Sequence, residues 1–104
     1  MLNAGANVNA FDKYDNALLR VSYKGHENII ELLLKAGADA NTCDINGTAL
    51  EQASSKGYVE IVKLLLEAGA RVDAYVKYDN ALQRASDGGH RRVVRLLHRA
   101  YFRS

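Results

Sequence analysis

Three histidines and one cysteine are the side chains of this 104-residue chain best suited to nucleophilic or metal chemistry. His26 and His90 each follow a glycine and stand 64 residues apart; midway between them, at position 58, is Tyr58. A general base needs a nucleophile within hydrogen-bond reach, and none recurs beside either histidine. His98 follows His90 by eight residues and Cys43 follows His26 by 17, and no zinc-ligand spacing links the four. The glycines are not arranged as a phosphate-binding loop. Catalysis, a metal and a cofactor therefore have no supporting constellation.

Charge gives a second kind of chemistry. The net charge of +2 divides unevenly: residues 1–83 carry 8 basic and 11 acidic side chains, whereas residues 84–104 carry six arginines against Asp87 alone. Arg91, Arg92, Arg95 and Arg99, with Arg103 beyond them, offer contacts to phosphate in nucleic acid or an anionic membrane. Two observations favour the plainer reading of a solvated end to the molecule. No aromatic platform interleaves with the arginines. The spacing of 91, 95 and 99 also puts three of them on one helix face, opposite Val93, Val94 and Leu97.

The elements that position these groups come from an internal repeat. Gly5, Gly37 and Gly69 are 32 residues apart, as are Gly25, Gly57 and Gly89, and Leu18, Leu50 and Leu82. The repeats run 4–35, 36–67 and 68–99, preceded by a partial repeat, 1–3; the last helix and tail, 91–104, form a capping end. All are read as one domain. Lys13-Tyr14-Asp15-Asn16-Ala17-Leu18 recurs unchanged at 77–82. Within each repeat, polar turn residues suit an extended hairpin. Asn16, Thr48 and Asn80 then occupy N-cap positions, and Thr48 with Glu51 fits a capping box. First helices are expected near 16–23, 48–55 and 80–87, and glycine stops each one. Second helices are expected near 27–36, 59–68 and 91–100, with apolar residues at helical spacing: Ile29, Ile30, Leu33 and Leu34 in the first repeat, Ile61, Val62, Leu65 and Leu66 in the second. Ala17, Ala49 and Ala81, and Ser22, Ser54 and Ser86, line the first helices with small side chains, so neighbouring repeats can approach closely. The fold class is all-α, a solenoid of stacked helix-turn-helix pairs joined by hairpin loops.

Leu64-Leu65-Leu66-Glu67-Ala68-Gly69-Ala70 and Gly25-His26 resemble the ankyrin repeat, three times over almost the whole chain. The period is 32 where the family has 33, and the missing residue falls at the hairpin tip. Where the family has Thr-Pro-Leu, this chain has Asn-Ala-Leu or Thr-Ala-Leu, a variety similar to ankyrin arrays in fungal proteins. The resemblance implies a non-catalytic protein-protein interaction module, with the Gly-His histidine bracing a neighbouring hairpin. It also implies a partner protein or peptide lying across the hairpin tips and first helices. By alignment those tips are Lys13, Tyr14 and Asp15; Ile45, Asn46 and Gly47; and Lys77, Tyr78 and Asp79. The first helices add Arg20, Gln52 and Arg84 as a polar ladder, then Tyr23, Lys24, Ser55, Lys56 and Asp87. Polyanion binding through Arg91, Arg92, Arg95 and Arg99 is the alternative, with nucleic acid the less favoured partner.

Three further expectations concern surroundings. No apolar run approaches the roughly 20 residues that span a bilayer. A single cysteine points to a reducing, intracellular compartment, cytoplasm or nucleus. Met1-Leu2-Asn3-Ala4-Gly5 resembles the last turn of a second helix, so the array starts in mid-repeat. Leu2, Leu18, Ile29 and Leu33 should then form a sticky end that self-associates, or an arm 1–11 that swaps. Cys43 shares its repeat position with Phe11 and Tyr75, which suggests a packed or lateral hairpin site.

Overall fold

The computed structural model describes residues 16–72 and 81–103, with side chains as far as residue 101. Six helices and one small hairpin occur among these residues. Helix α1 is described over 16–24. It is followed by α2 (Glu27–Lys35), strands β1 (Cys43–Asp44) and β2 (Gly47–Thr48), α3 (Ala49–Lys56), α4 (Val59–Glu67), α5 (Ala81–Asp87) and α6 (Arg91–Arg103). The all-helical architecture expected from the repeat is present. Second helices α2 and α4 end one residue short of expectation, and α6 runs three residues past it.

Local chemistry explains the boundaries. Thr48 closes the capping box: its hydroxyl accepts from the Glu51 amide at 3.0 Å, and the Glu51 carboxylate accepts from the Thr48 amide at 2.9 Å. Two otherwise orphaned donors are thereby satisfied. Asn16 differs from the expected cap, since it already stands in helical backbone, and Asn80 lies outside the described residues. Second helices close on a glycine turn. After α2, Ala38 donates to the Leu33 carbonyl and Gly37 to the Leu34 carbonyl; after α4, Ala70 and Gly69 repeat the pattern on Leu65 and Leu66. This paired 6→1 and 5→2 closure is the Schellman motif. Strands β1 and β2 pair antiparallel, with Cys43 opposite Thr48 and Asp44 opposite Gly47, so only Ile45 and Asn46 form the tip. Cys43 is exposed there, not packed.

Burial at positions 32 residues apart shows how the repeats stack. Leu18, Ser22 and Ile30 are buried in the first repeat, and Leu50, Ser54 and Val62 in the second; their third-repeat equivalents Leu82 and Val94 are half-buried and Ser86 is exposed. This set faces the following repeat. A second set runs the other way. Ile29 is 44 % exposed and Val21 and Leu33 are half-buried, whereas Ile61, Ala53 and Leu65, and then Val93, Ala85 and Leu97, are buried. That set faces the preceding repeat. Each repeat thus has two apolar faces that only a neighbour covers. Leu18 belongs to the first set, so it is core and not part of the expected sticky end; Ile29 and Leu33 remain in that end, and Leu2 and the arm 1–11 lie outside the described residues.

Two contacts key one repeat to the next. The ring of Tyr58 sits against Gly25, where a methyl group would come within 3.0 Å of it, and the His90 imidazole sits against Gly57, where a methyl would come within 2.5 Å. His90 Nε2 also donates to the Ser55 carbonyl at 3.1 Å. The repeated aromatic therefore braces the helix turn of the preceding repeat, not a hairpin as expected. The second key is Asn41, whose side chain accepts from the Arg71 amide at 2.8 Å and donates to the Gly69 carbonyl at 3.2 Å. It ties the loop of the second repeat to that of the third.

Two predictions follow from the stack. Leu65 is fully buried on the face toward the preceding repeat, so Leu65→Ala should cost about 2–5 kcal/mol, read as a large drop in melting temperature. Gly57 and Gly69 share a left-handed backbone, φ 76° and 96°, but a methyl at Gly69 meets open space. Gly69→Ala should cost only the backbone strain, about 1–2 kcal/mol. Gly57→Ala should cost about 1–3 kcal/mol more by overpacking, and His90→Ala in the same chain should remove that excess. Equal costs at the two glycines in denaturant titrations would show that the His90 seat does not tighten the joint.

Candidate functional site

A groove runs along the face made by the first helices and the hairpin. Arg20, Tyr23 and Lys24 reach it from α1, Ile45 and Asn46 from the hairpin tip, Gln52 and Ser55 from α3, and Arg84 from α5. Two recesses make it up. One, of about 270 Å³, is lined by Leu19, Arg20, Tyr23, Lys24, Asp44, Asn46 and Gln52. The other, of about 310 Å³, is lined by Tyr23, Ile45, Asn46, Gln52, Ser55 and Arg84. Tyr23, Asn46 and Gln52 belong to both, so the recesses are continuous.

The expected ladder of Arg20, Gln52 and Arg84 does lie in sequence along this groove, but its rungs differ in kind. Arg20 is exposed, Arg84 half-buried, and Gln52 only 5 % exposed. Gln52 Nε2 donates to Asp44 Oδ1 and to the Gly47 carbonyl, both at 3.1 Å. It is therefore a strut fastening the hairpin to α3, and not a free polar arm as expected. Arg84 packs over Gly47: a methyl there would meet its guanidinium at 2.9 Å and the Glu51 carboxylate at 2.5 Å. Asp44 Oδ1 also accepts from the Asn46 amide at 2.8 Å. The tip is thus held from within, which leaves the Ile45 side chain 99 % exposed above the groove.

Lys56 is the last residue of α3. Its ammonium lies over the Tyr23 ring, 4.3 Å from the centroid. A cation on an aromatic face contributes about 0.5–1 kcal/mol at an exposed site, and here it joins α3 to α1 beside the groove. Asp87, at the end of α5, accepts from Gln83 Nε2 at 2.9 Å, within its own helix. Lys13, Tyr14, Asp15, Lys77, Tyr78 and Asp79 lie outside the described residues. Leu19 and Asp44 line the groove without having been singled out. The hydrogen bonds of Asp44 to the Gln52 side chain and to the Asn46 amide of the tip are the reason it sits there.

The arginines of α6 lie on the opposite, second-helix side. Arg92, Arg95 and Arg99 line a shallow groove of about 350 Å³ against Val59, Glu60 and Lys63 of α4. Lys63, which the tail alone did not indicate, adds a fourth cation, although it already pairs with Glu60 at 3.6 Å. Arg91 lines a different recess, around Gly89, which Arg95 also borders. Among the described residues no three side chains are grouped to hold a metal ion, and no helix is long and apolar enough to cross a membrane.

Stacked helix pairs, with a hairpin tip on one side and a polar groove beneath it, define a repeat protein among the described residues. A family model for ankyrin repeats, three copies, matches residues 1–76 and 18–102, and the chain belongs to the ankyrin-repeat family. Repeats of this family are generally protein-protein interaction modules and typically non-catalytic. No curated protein matches the chain.

Gln52→Ala should detach the hairpin from α3 while leaving the helices stacked. The lost bonds are worth about 0.5–1.5 kcal/mol each. Hydrogen exchange at the Asn46 amide should accelerate well ahead of exchange within α4, and a uniform acceleration across the chain would refute the strut role.

Proposed function

We propose that this chain is a non-catalytic adaptor that holds an extended, mixed-charge segment of a partner protein in the groove between α1, α3, α5 and the hairpin. The observation that carries this reading is the composition of the groove. An apolar Ile45 stands almost wholly exposed at its lip, aromatic Tyr23 forms its wall, and Arg20 and Arg84 flank its floor. Tyrosine and arginine are enriched where binding energy concentrates. The guanidinium fork suits a carboxylate. Asp44 interrupts the positive field and disfavours a uniform polyanion, so an acidic segment with an apolar residue for Ile45 fits better. Tip residues Lys13, Tyr14, Asp15, Lys77, Tyr78 and Asp79 would extend the same surface by repeat equivalence. The lone, exposed Cys43 is compatible with a reducing, intracellular setting.

Polyanion binding along α6 is the second reading, and the convergence of Lys63 with Arg92, Arg95 and Arg99 on one groove favours it. A phage-displayed random peptide library panned on the immobilised protein separates the two. Enriched peptides should carry Asp or Glu near an apolar residue, and Arg20→Ala with Arg84→Ala should weaken them at least tenfold. Arg20→Ala alone should change stability by a few tenths of a kcal/mol, and half-buried Arg84→Ala by about 1 kcal/mol through lost packing. Binding that survives the double variant but disappears on neutralising Arg91, Arg92 and Arg95 would replace the groove reading with the second one.

A further inference from the structure

The two covered joints of the stack provide a template for a third. At each joint a glycine after the first helix receives an aromatic ring from the next repeat: Tyr58 on Gly25, His90 on Gly57. Gly89 is the third such glycine, with the same left-handed backbone (φ 71°), and a methyl there would meet open space. Around it Ser86 is exposed, although Ser22 and Ser54 are fully buried, and Val94 is half-buried, although Ile30 and Val62 are fully buried. These residues border a recess of about 540 Å³. The complementary surface is on the first repeat. His26, the equivalent of Tyr58 and His90, is exposed, and Ile29 beside it is 44 % exposed where Ile61 and Val93 are buried.

We propose that the open face of the third repeat, around Gly89, docks the first repeat of a second copy of this chain, seating His26 of that copy against Gly89. One charged position favours the match. In the α4–α6 joint, Glu60 and Lys63 share a groove with Arg92, Arg95 and Arg99, so Lys63 stands among three arginines with Glu60 as the one anion. Moving that joint on by one repeat brings Arg95 of α6 beside Glu31 of the second copy's α2. Arg95 and Glu31 are both exposed, and neither has an ion pair among the described residues. At that one position the new joint exchanges a like-charge contact for an opposite one, and Lys35 stands where Arg99 does, while the apolar register is kept. Such a contact is heterologous: the two copies offer different surfaces, and each copy in a chain still presents one of each. The proposal stands independently of the groove, since none of these residues lines it.

Heterologous contact has a signature that no self-complementary contact shares. Wild-type protein in analytical ultracentrifugation should grow past the dimer as its concentration is raised through the micromolar into the millimolar range. Ser86→Arg blocks the accepting face and Ile29→Arg blocks the inserting one, and each variant alone should remain monomeric at every concentration. Mixed, the Ile29→Arg chain still accepts and the Ser86→Arg chain still inserts. The mixture should give one-to-one dimers that grow no further, which also shows that both variants fold. Wild type that stays monomeric overturns the proposal. So does a Ser86→Arg variant that assembles like wild type, or a mixture in which no dimer forms.

Discussion

Everything in this molecule depends on how closely one helix pair can approach the next. Ala49, Ala53, Ala81 and Ala85 are buried at 1 % exposure or less, and beside them Ser22 and Ser54 are buried at 0 %. With side chains this small, leucines and valines from two repeats interlock across each joint, and no helix pair has to form a core by itself. The closeness has a cost. The hydroxyls of Ser22 and Ser54 are buried with no hydrogen-bond partner among the described residues, and a buried unpaired polar group opposes folding by about 1–3 kcal/mol. Stacking is thus favoured by shape and apolar contact, against a polar penalty that recurs at both covered joints.

The groove inherits its geometry from the same joints. Arg20, Gln52 and Arg84 occupy one repeat position and fall along one line because the repeats advance by a constant step. They differ in role because their surroundings differ. Gln52 turns inward to Asp44 and the Gly47 carbonyl, while Arg84 covers the Gly47 backbone of the repeat before it. A side chain from one repeat thereby shelters the hairpin of another, so the shape of the groove belongs to the stack and not to any single unit.

Much of the fold was legible because its signals are local. Glycine spacing, the Thr48–Glu51 pair and the apolar periodicity each act over a few residues, and the helices lie within three residues of their expected ends. What escaped was non-local. Helical periodicity shows that Leu18 is apolar and facing inward, but it does not say which of two neighbours covers it. The exposure of Gln52 depended on a hairpin that folds back eight residues to meet it. Lys56 ends its own helix, and nothing in that local position announces the ring of Tyr23, a repeat away, beneath its ammonium. Cys43 shares a repeat position with two aromatics yet is exposed on a two-residue strand. The position alone did not indicate burial.

The glycine seat has an evolutionary reading as well. Tyr58 and His90 are different residues, yet each fills a seat of the same form one repeat back. A joint that accepts either ring does not depend on the identity of the particular pair. Whole repeats could then be duplicated or deleted in the gene without redesigning the contacts on either side, because each new unit arrives with both halves of a joint. Recombination between near-identical blocks such as 13–18 and 77–82 would supply such changes, and recognition surfaces of different length could arise in single genetic steps.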